Sequence, residues 1–456
     1  MMARACRSQK QIKWVRSVDK HFLPNRVEPR FFMAVPYVFI NVGTVFLWLM
    51  KNHVHKLIKQ INKHNSFRNN CLNLVTSENL MSPLTRLAIS SDLGNRYTVG
   101  RINHRWYAGN HYFDKIESTA ANLARKLFHA KYVNLQPTSG MVANMVAFYA
   151  LLQPGDLLLS LRTKDTGHYS HAKNNLLSLF GVRVASLPFD RKEFTIDLEK
   201  AKKTIHRKKP KVVLLGTSEF LFPTPLKELR KICDHTGTKI LYDAAHVAGL
   251  IAGQTFQDPL GEGADMISTS TNKTLSGPSH GLVACKNIKQ YRKKIERALV
   301  PMFTSNHHAH HVTGLAITLA EFEKYGHEYA VQVIKNAQAL AQALYKFGLE
   351  VICPHKNFTR SHTVLIDVKK SGDETMRLLE KANIIVNSFQ LPWNKISDQT
   401  GIRIGTNEVT RLGMREEEMK QIAKFISDVL LKRKSIKEIR KGVIDFRKSF
   451  LKMYYC

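Results

Sequence analysis

Three places in the sequence carry residues that could hold and activate an aldehyde cofactor. Asp243 ends the apolar run KILYD, and Lys273 follows thirty residues later in STSTNKTLSGP. A lysine amine condenses with an aldehyde to an imine, and a carboxylate at a strand end suits a protonated ring nitrogen. Ser139 and Gly140 open an apolar helical stretch, where free backbone N–H groups can hold a phosphate. Together these residues predict a site for a phosphorylated aldehyde that carries a basic ring.

The same residues lie at the junctions of a predicted α/β region. Between residues 114 and 300, short apolar runs alternate with helical stretches, which is typical of a parallel sheet. The predicted strands are 131–136, 157–161, 211–216, 239–244 and 264–270, and the predicted helices are 113–128, 140–152 and 225–237. Ligands bind at the carboxyl ends of the strands in such sheets, so we expect Ser139, Asp243 and Lys273 to act as one set.

The pattern changes after about residue 326. Segments 333–348, 361–368 and 374–386 suggest a smaller α+β unit, and 416–434 predicts a basic helical tail. We therefore expect four parts: a basic leader with an apolar segment at 1–50, an N-terminal arm at 51–75, a large cofactor-binding domain at 76–326, and a small C-terminal domain at 327–456.

The chain is strongly basic, with a formal net charge of +33. Three flanks hold more than half of the excess, namely 1–30, 51–70 and 431–456. Such charge could attract nucleic acid or an anionic lipid surface, but runs of charge are usually solvated faces. No aromatic-interleaved motif or zinc finger accompanies it, so we expect no nucleic-acid partner.

Residues 31–50 form a twenty-residue run without charge, which is long enough to cross a bilayer. An alternative is that Met50 is the true start and 1–49 an extension. The first interpretation predicts membrane contact through 31–50, and the second a cytoplasmic protein. The six cysteines form no CxxC pair, so the sequence predicts neither a disulfide framework nor a cysteine metal site, as suits a reducing compartment.

Several strings of the sequence resemble the serine hydroxymethyltransferase family of fold type I pyridoxal-phosphate enzymes. The closest is LYDAAHVAGLIAG (241–253), followed by FQDPLGEGADMISTSTNKTLSGP (256–278). Further strings match in family order, namely NLVTSEN (73–79), NRYTVGRINHRWYAG (95–109), LQPTSGMVAN (135–144), TGHYSHA (166–172) and TGIRIGTNEVTRLGM (400–414). Ordered matches across about 71–415 are far more specific than any single short motif.

The resemblance implies an α/β fold, with a large mixed-sheet α/β/α domain and a smaller C-terminal α+β domain. It also implies a cofactor, pyridoxal 5'-phosphate, and an amino-acid substrate. The implied cofactor residues are Lys273 as the imine lysine, Asp243 at the pyridine nitrogen, His168 on the ring, His246 beside its phenolic oxygen, Ser139 and Gly140 at the phosphate, and Ser218 near the ring.

Other implied residues bind the substrate or reach the site from a second subunit. Arg403 resembles the arginine that binds the substrate carboxylate through its planar fork, and Ser77 the residue that helps it. Tyr97 and Tyr107 resemble two tyrosines that reach the neighbouring subunit's site, where the resemblance implies that Tyr97 binds the cofactor and Tyr107 is catalytic. The resemblance therefore implies a homodimer with shared active sites.

The chain departs from the family pattern at several positions, mostly on the folate side. The family's catalytic glutamate is Val99 here, which cannot exchange a proton, and an asparagine that touches the folate is Phe389. The other departures are Met141, Asn272, Ser279 and the loop MFTSN (302–306). The positions for cofactor and amino acid are mostly kept, whereas those for folate and proton transfer are mostly changed.

This split leaves three hypotheses for the function. The first is interconversion of serine and glycine with tetrahydrofolate as acceptor. The second is a folate-independent aldolase or transaldolase for threonine or another β-hydroxy amino acid, with His168, Tyr107 or a water as the base. The third is a silent basic protein that binds nucleic acid or membrane, and retention of Lys273 argues against it.

The run HHAHH (307–311) contains four imidazoles, which are ligands for zinc and copper. A metal site there would need ligands that converge from elsewhere in the chain, and no carboxylate or cysteine lies near it in sequence. The sequence therefore predicts no metal site, and the run is interpreted as a reshaped dimer loop near the phosphate.

Overall fold

The computed structural model describes residues 53–395 and 399–456. The chain divides into two compact units, Met1–Ser66 and Phe67–Cys456. The basic leader and the apolar segment 31–50 lie outside the described residues. Within the described ranges, no helix is both long and apolar enough to cross a membrane.

Helices make up most of the regular structure. They are α1 (His53–Asn69), α2 (Pro83–Ile89), α3 (His111–Leu127), α4 (Gly140–Leu151), α5 (Leu176–Leu179), α6 (Leu198–Lys208), α7 (Leu226–Asp234), α8 (Ala248–Ala252), α9 (Ile288–Arg297), α10 (Ala309–Lys346), α11 (Gly372–Lys381), α12 (Asn407–Arg411), α13 (Glu416–Leu430) and α14 (Ile436–Arg447). Short 3₁₀ turns lie at Asp92–Asn95, Thr163–Asp165, Tyr169–His171 and Pro354–Lys356.

The strands are short. They are β1 (Leu72–Asn73), β2 (Gly100–Arg101), β3 (His104–Arg105), β4 (Tyr132–Asn134), β5 (Leu157–Ser160), β6 (Arg183–Ser186), β7 (Phe189–Asp190), β8 (Thr195–Ile196), β9 (Val212–Leu215), β10 (Lys239–Asp243), β11 (Met266–Ser270), β12 (Gly281–Cys285), β13 (Glu350–Val351), β14 (Thr363–Asp367), β15 (Ile384–Ile385), β16 (Asn387–Phe389) and β17 (Gly401–Gly405).

The largest sheet has seven strands in the order β4-β12-β11-β10-β9-β5-β6. The five strands from β11 to β6 run parallel to their neighbours, whereas β12 is antiparallel to both β11 and β4. The sheet is therefore mixed, as expected. Across the sheet the strand numbers fall from β12 to β5 and then rise at β6, so the order reverses at β5. The parallel strands all end at the edge where Asp243 lies.

Helices cover both faces of this sheet. Successive side chains of a strand point to opposite faces, so Val212 and Leu214 pack on one side and Val213 and Leu215 on the other. One side packs with residues of α4 and α9, and the other with residues of α3, α7 and α10. Burial on both faces explains why these strands read as continuous apolar runs.

A four-stranded antiparallel sheet, β13-β14-β17-β16, forms the C-terminal part. Its apolar face packs against α13, α14 and the last turns of α10. Arg403 lies in β17, paired with Leu365 of β14 and Asn387 of β16. The sheet therefore fixes the backbone of the predicted carboxylate-binding arginine on both sides.

Most predicted elements are confirmed, and two differ. The segment 333–348 is the second half of α10, a single helix of 38 residues. The antiparallel strand β12 was not predicted as a separate run. The predicted boundary at 326/327 falls inside α10 and stays a prediction.

Substitution of a buried leucine should lower the free energy of unfolding far more than substitution of an exposed one. Leu241 of β10 is fully buried, whereas Leu179 is 81 % exposed. We expect Leu241→Ala to lower the free energy of unfolding by about 2–5 kcal/mol, because it removes buried methyl groups and leaves a cavity. Leu179→Ala is the matched control and should change it by less than about 0.5 kcal/mol. Urea unfolding at one protein concentration measures both, and equal effects would contradict the described packing.

Candidate active site

Lys273 lies in the loop that follows β11, with its side chain half-buried in a cavity at the sheet edge. Asn79 donates a hydrogen bond from Nδ2 to the Lys273 carbonyl oxygen at 2.8 Å, which holds the backbone of the loop in place. Burial lowers the pKa of Lys273 to about 8. Within the described ranges its Nζ has no ion-pair partner, so the amine is available for chemistry.

Asp243 ends β10, and a polar network holds its buried carboxylate. Asn144 donates from Nδ2 to Oδ2 at 2.8 Å, and Nε2 of His171 lies 3.1 Å from the same oxygen. The Ala245 N–H donates to Oδ1 at 2.9 Å. Burial alone would raise the pKa of Asp243, but these hydrogen bonds and the charge of His171 lower it overall. The carboxylate is therefore ionised at neutral pH.

Ser139 and Gly140 begin α4 beside this carboxylate. The Ser139 side chain accepts a hydrogen bond from the Val142 N–H at 3.2 Å, as an N-cap does. Gly140 packs against β11 so closely that a Cβ there would lie 2.9 Å from the Cβ of Ser270. The first-turn N–H groups of an α-helix have no intrahelical partner and can bind an anion.

One cavity brings most of the predicted cofactor residues together. It is lined by Gly140, Met141, Asn144, His168, Tyr169, His171, Thr217, Ser218, Asp243, Ala245, His246, Ser270 and Lys273. All predicted cofactor residues except Ser139 and Tyr97 line it directly, and Ser139 caps the helix that Gly140 begins.

The two predicted histidines of this cavity are neutral. Burial lowers the pKa of His168 to about 4, and its Nδ1 lies 2.7 Å from Ser170 Oγ. Burial also holds the pKa of His246 well below its usual value. The His246 ring stacks on His362 with 5.9 Å between the ring centroids. Neutral imidazoles can accept or share a proton at the cavity wall.

Arg403 reaches the same region from β17. Its Nη1 donates to the Ser218 carbonyl oxygen at 2.8 Å and to Oε1 of Glu219 at 3.1 Å. Its Nε donates to Oδ1 of Asn387 at 3.1 Å. Both Arg403 and Glu219 are buried. Burial raises the pKa of Glu219 to about 7, although Arg403 and Lys273 act in the opposite direction.

Three functional neighbours were not singled out from the sequence. Asn144 and His171 lie inside the matching strings 135–144 and 166–172, where their spacing from Gly140 and His168 could have marked them. Glu219 directly follows Ser218, and nothing in its sequence context separates it from a surface glutamate.

Three predicted residues are not joined to this cavity within the described chain. Ser77 is half-buried in the segment that leads to Asn79, and among described residues it has no hydrogen bond to Arg403. Tyr97 and Tyr107 are 56 % and 51 % exposed, and their rings lie 5.3 Å apart. Asn110 donates to the carbonyl oxygens of both tyrosines, which holds them as a pair.

The amino-acid sequence was compared with known protein families and with individual proteins. A profile described as serine hydroxymethyltransferase matches residues 50–426. A serine hydroxymethyltransferase of Methanocella arvoryzae is 44 % identical over 390 residues, which cover 84 % of this chain and 92 % of that protein. Another from Methanopyrus kandleri is 44 % identical over 407 residues, 88 % of this chain and 95 % of that protein.

The chain belongs to the serine hydroxymethyltransferase family. Its structure is also similar to that of an L-threonine transaldolase from Pseudomonas fluorescens. That likeness has a TM-score of 0.82 and 26 % identity, and covers 92 % of this chain and 95 % of the other. The predicted fold type I architecture, pyridoxal-phosphate dependence and aldol chemistry on serine- or glycine-type amino acids are confirmed.

The residues of the cavity fit pyridoxal phosphate. The ionised Asp243 suits a protonated ring nitrogen, and Lys273 offers an amine that has no ion-pair partner among the described residues. Nδ1 of His246 is buried at the cavity wall and has no hydrogen-bond partner in the described part of the chain. An orphaned polar atom of this kind suits the cofactor's oxygen substituent.

Two positions at which the sequence was predicted to depart from the serine hydroxymethyltransferase pattern, Val99 and Phe389, are buried and apolar. Val99 is 2 % exposed, so position 99 presents a buried apolar side chain. Phe389 is buried in a small apolar cluster with Leu221, Phe222 and Leu391. Neither side chain can donate, accept or transfer a proton.

Substitution of Lys273 tests the covalent attachment. We expect borohydride treatment of the wild-type protein to leave a pyridoxyl phosphate adduct on the peptide that contains Lys273, because its amine is the partner of the aldehyde. Lys273→Ala should carry none, as measured by peptide mass spectrometry. Lys286→Ala removes an exposed lysine and should keep the full adduct. An unchanged adduct in Lys273→Ala would disprove the assignment.

Proposed function

We propose that this chain makes and breaks the Cα–Cβ bond of a β-hydroxy amino acid, with a free aldehyde rather than tetrahydrofolate as its partner. The observation that carries the proposal is a contrast between two sets of positions. The cofactor groups line one cavity and Arg403 donates to Ser218 at its wall, whereas position 99 is a buried valine and position 389 a buried phenylalanine.

Five residues would hold the cofactor in this proposal. Lys273 would bind it covalently, Asp243 would pair with the ring nitrogen, and the α4 terminus at Ser139 and Gly140 would bind the phosphate. His168 would cover the ring. When bound, pyridoxal phosphate accepts the electrons released at Cα. Asp243 supports that role because its low pKa keeps a negative charge beside the ring.

Arg403 would bind the substrate carboxylate as a bidentate pair. Its guanidinium is already engaged by Glu219 at 3.1 Å, so the substrate must share or displace that partner. A protonated Glu219 would release Arg403, and an ionised one would repel the incoming carboxylate. Glu219 therefore sets the protonation state in which the amino acid binds.

Cleavage of a β-hydroxy amino acid requires a base for the hydroxyl proton. Val99 cannot supply it. His168 lines the cavity as a neutral imidazole whose Nδ1 accepts a hydrogen bond from the Ser170 N–H at 3.3 Å. In this tautomer Nε2 carries the ring proton, so His168 must change tautomer before it can act as the base. Tyr107 from a second subunit, or a water, are the alternatives. Retro-aldol cleavage needs only one such base, so it tolerates the loss of the family glutamate.

We infer that the working unit is a homodimer. Tyr97 and Tyr107 are exposed as a pair and lie outside their own chain's cavity. Trp106 and Tyr112, which are close to Tyr107 in the sequence, are also exposed, at 69 % and 68 %. Exposed aromatic clusters are typical of protein interfaces, and the same tyrosines would complete the partner's site.

A second candidate is the folate-dependent interconversion of serine and glycine. It is favoured by the two serine hydroxymethyltransferases that are 44 % identical to this chain. It requires that folate bind without a glutamate at position 99 and that another group move the proton.

The choice of acceptor can be measured directly. Exchange of the glycine α-proton for deuterium, followed by NMR, reports the amino-acid half of the reaction alone. We expect the wild-type protein to exchange this proton, and to form a β-hydroxy amino acid on addition of acetaldehyde or benzaldehyde. Tetrahydrofolate should change neither rate by more than about twofold, because the groups that would couple it to the reaction are absent.

Lys273→Ala is the inactive control for both halves. Serine cleavage that tetrahydrofolate accelerates tenfold or more would overturn the proposal in favour of the second candidate. Loss of α-proton exchange in the cofactor-loaded wild type would exclude both candidates.

The role of Glu219 predicts a pH dependence of substrate binding. Because its pKa lies near 7, Glu219 ionises as the pH rises through that value and then competes for Arg403. We expect the KM for the amino acid to rise above pH 7, by up to about tenfold per pH unit, with kcat affected less. Glu219→Gln should remove this rise, as measured by steady-state kinetics between pH 6 and 9.

Glu228→Gln is the matched control, since Glu228 is exposed on α7. It should keep the wild-type profile. A Glu219→Gln variant whose KM still rises with pH as in the wild type would show that another group governs binding.

A further inference from the structure

Three histidines converge outside the cofactor cavity. His280 directly precedes β12, and His308 and His311 lie at the start of α10. One ring nitrogen from each lies within 4.8 Å of the other two. The ring centroids of His308 and His311 are 5.1 Å apart, and that of His280 is 6.2 and 5.9 Å from them.

The protonation of His280 is fixed by its surroundings. Its Nε2 lies 2.7 Å from the carbonyl oxygen of Leu135, which can only accept a hydrogen bond. Nε2 therefore carries the proton, and the lone pair is on Nδ1. That Nδ1 is buried and has no hydrogen-bond partner among the described residues. Metal-binding histidines commonly donate their second nitrogen to a backbone carbonyl in this way.

His311 offers a similar nitrogen. Its Nδ1 is also buried without a hydrogen-bond partner in the described ranges. Burial lowers the pKa of His280 to about 3 and that of His311 to about 4, so both are neutral ligands at physiological pH. The charged groups that act on these two rings are other histidines, not lysine or arginine. Two buried ring nitrogens without a hydrogen-bond partner among the described residues, one of them with its lone pair fixed on Nδ1, call for a partner.

We propose that His280, His308 and His311 bind a divalent zinc-type ion, with a fourth position open to water or an anion. Three imidazoles with an open position are a known arrangement for zinc. Tetrahedral coordination places ligand nitrogens about 3.3 Å apart, so the three nitrogens, which lie within 4.8 Å of one another, must approach by up to about 1.5 Å. His308 is exposed and can rotate toward the two buried nitrogens.

The ion would join two elements that are distant in sequence. His280 is carried by the segment beside the phosphate cradle, since the Gly281 N–H donates to Pro137 and Gly281 packs on the Ser139 carbonyl. His308 is the N-cap of α10, and His311 lies in its first turn. A bound ion would therefore clamp the start of α10 to the strand that supports the cradle.

The sequence predicted no metal here because the run 307–311 lacked a ligand from elsewhere. His280 is that ligand, and only the fold brings it close. This proposal does not depend on the proposed aldol reaction, and its test needs no turnover.

The test is a titration of the cofactor-loaded, chelator-treated protein with Co²⁺, followed by its visible ligand-field absorption. We expect one Co²⁺ per chain, displaced by Zn²⁺, and a higher melting temperature in Zn²⁺ because the ion binds the folded state. His308→Gln, at an exposed position, should weaken binding at least tenfold and remove the shift of melting temperature. His280→Gln should do the same and can still donate to Leu135.

His310→Gln is the matched control, because His310 lies in the same run but outside the cluster. It should bind Co²⁺ as the wild type does. Absence of binding to the wild type would overturn the proposal. So would loss of binding in His310→Gln with retention in His308→Gln, since the ion would then be held by the run in another way.

Discussion

The active site depends on a carboxylate that stays ionised although it is buried. Desolvation works against the charge of Asp243, and it is outweighed by Asn144 of α4, by His171 of the 3₁₀ turn Tyr169–His171 and by the backbone N–H of Ala245 after the strand. A Cβ at position 216, just after β9, would lie 2.7 Å from the Cβ of Asp243, which is too close for a side chain. Only glycine at this position therefore allows the end of β9 to lie so close to Asp243. The backbone around the cavity is arranged to deliver these donors.

The sequence predicted the parts of the site that follow from strand ends. Asp243 ends β10, Lys273 follows β11 and Gly140 follows β4, and parallel strands bring their ends to one edge. It did not predict Glu219, because a glutamate that pairs with an arginine 184 residues away carries no local signal. The sequence also did not predict that α10 begins at Ala309, because only its second half, 333–348, was recognised as helical from its pattern.

Val99 and Glu219 differ in what they offer for proton transfer. Val99 is a buried apolar side chain, whereas Glu219 is a buried carboxyl group with a pKa near 7 that lies against Arg403. Ionisable groups of this kind cluster at functional sites. In our proposal the titrating group therefore acts on binding of the substrate carboxylate rather than on cleavage of the Cα–Cβ bond.

The 38-residue helix α10 has an evolutionary consequence. It spans about 57 Å, and one straight element packs on the large sheet at one end and on the small sheet at the other. Each residue inserted within 309–346 would turn everything downstream by about 100° and bury the wrong face. Length variation among homologues is therefore expected in the surface loops on either side of this helix, and the spacing between its two ends should be inherited unchanged.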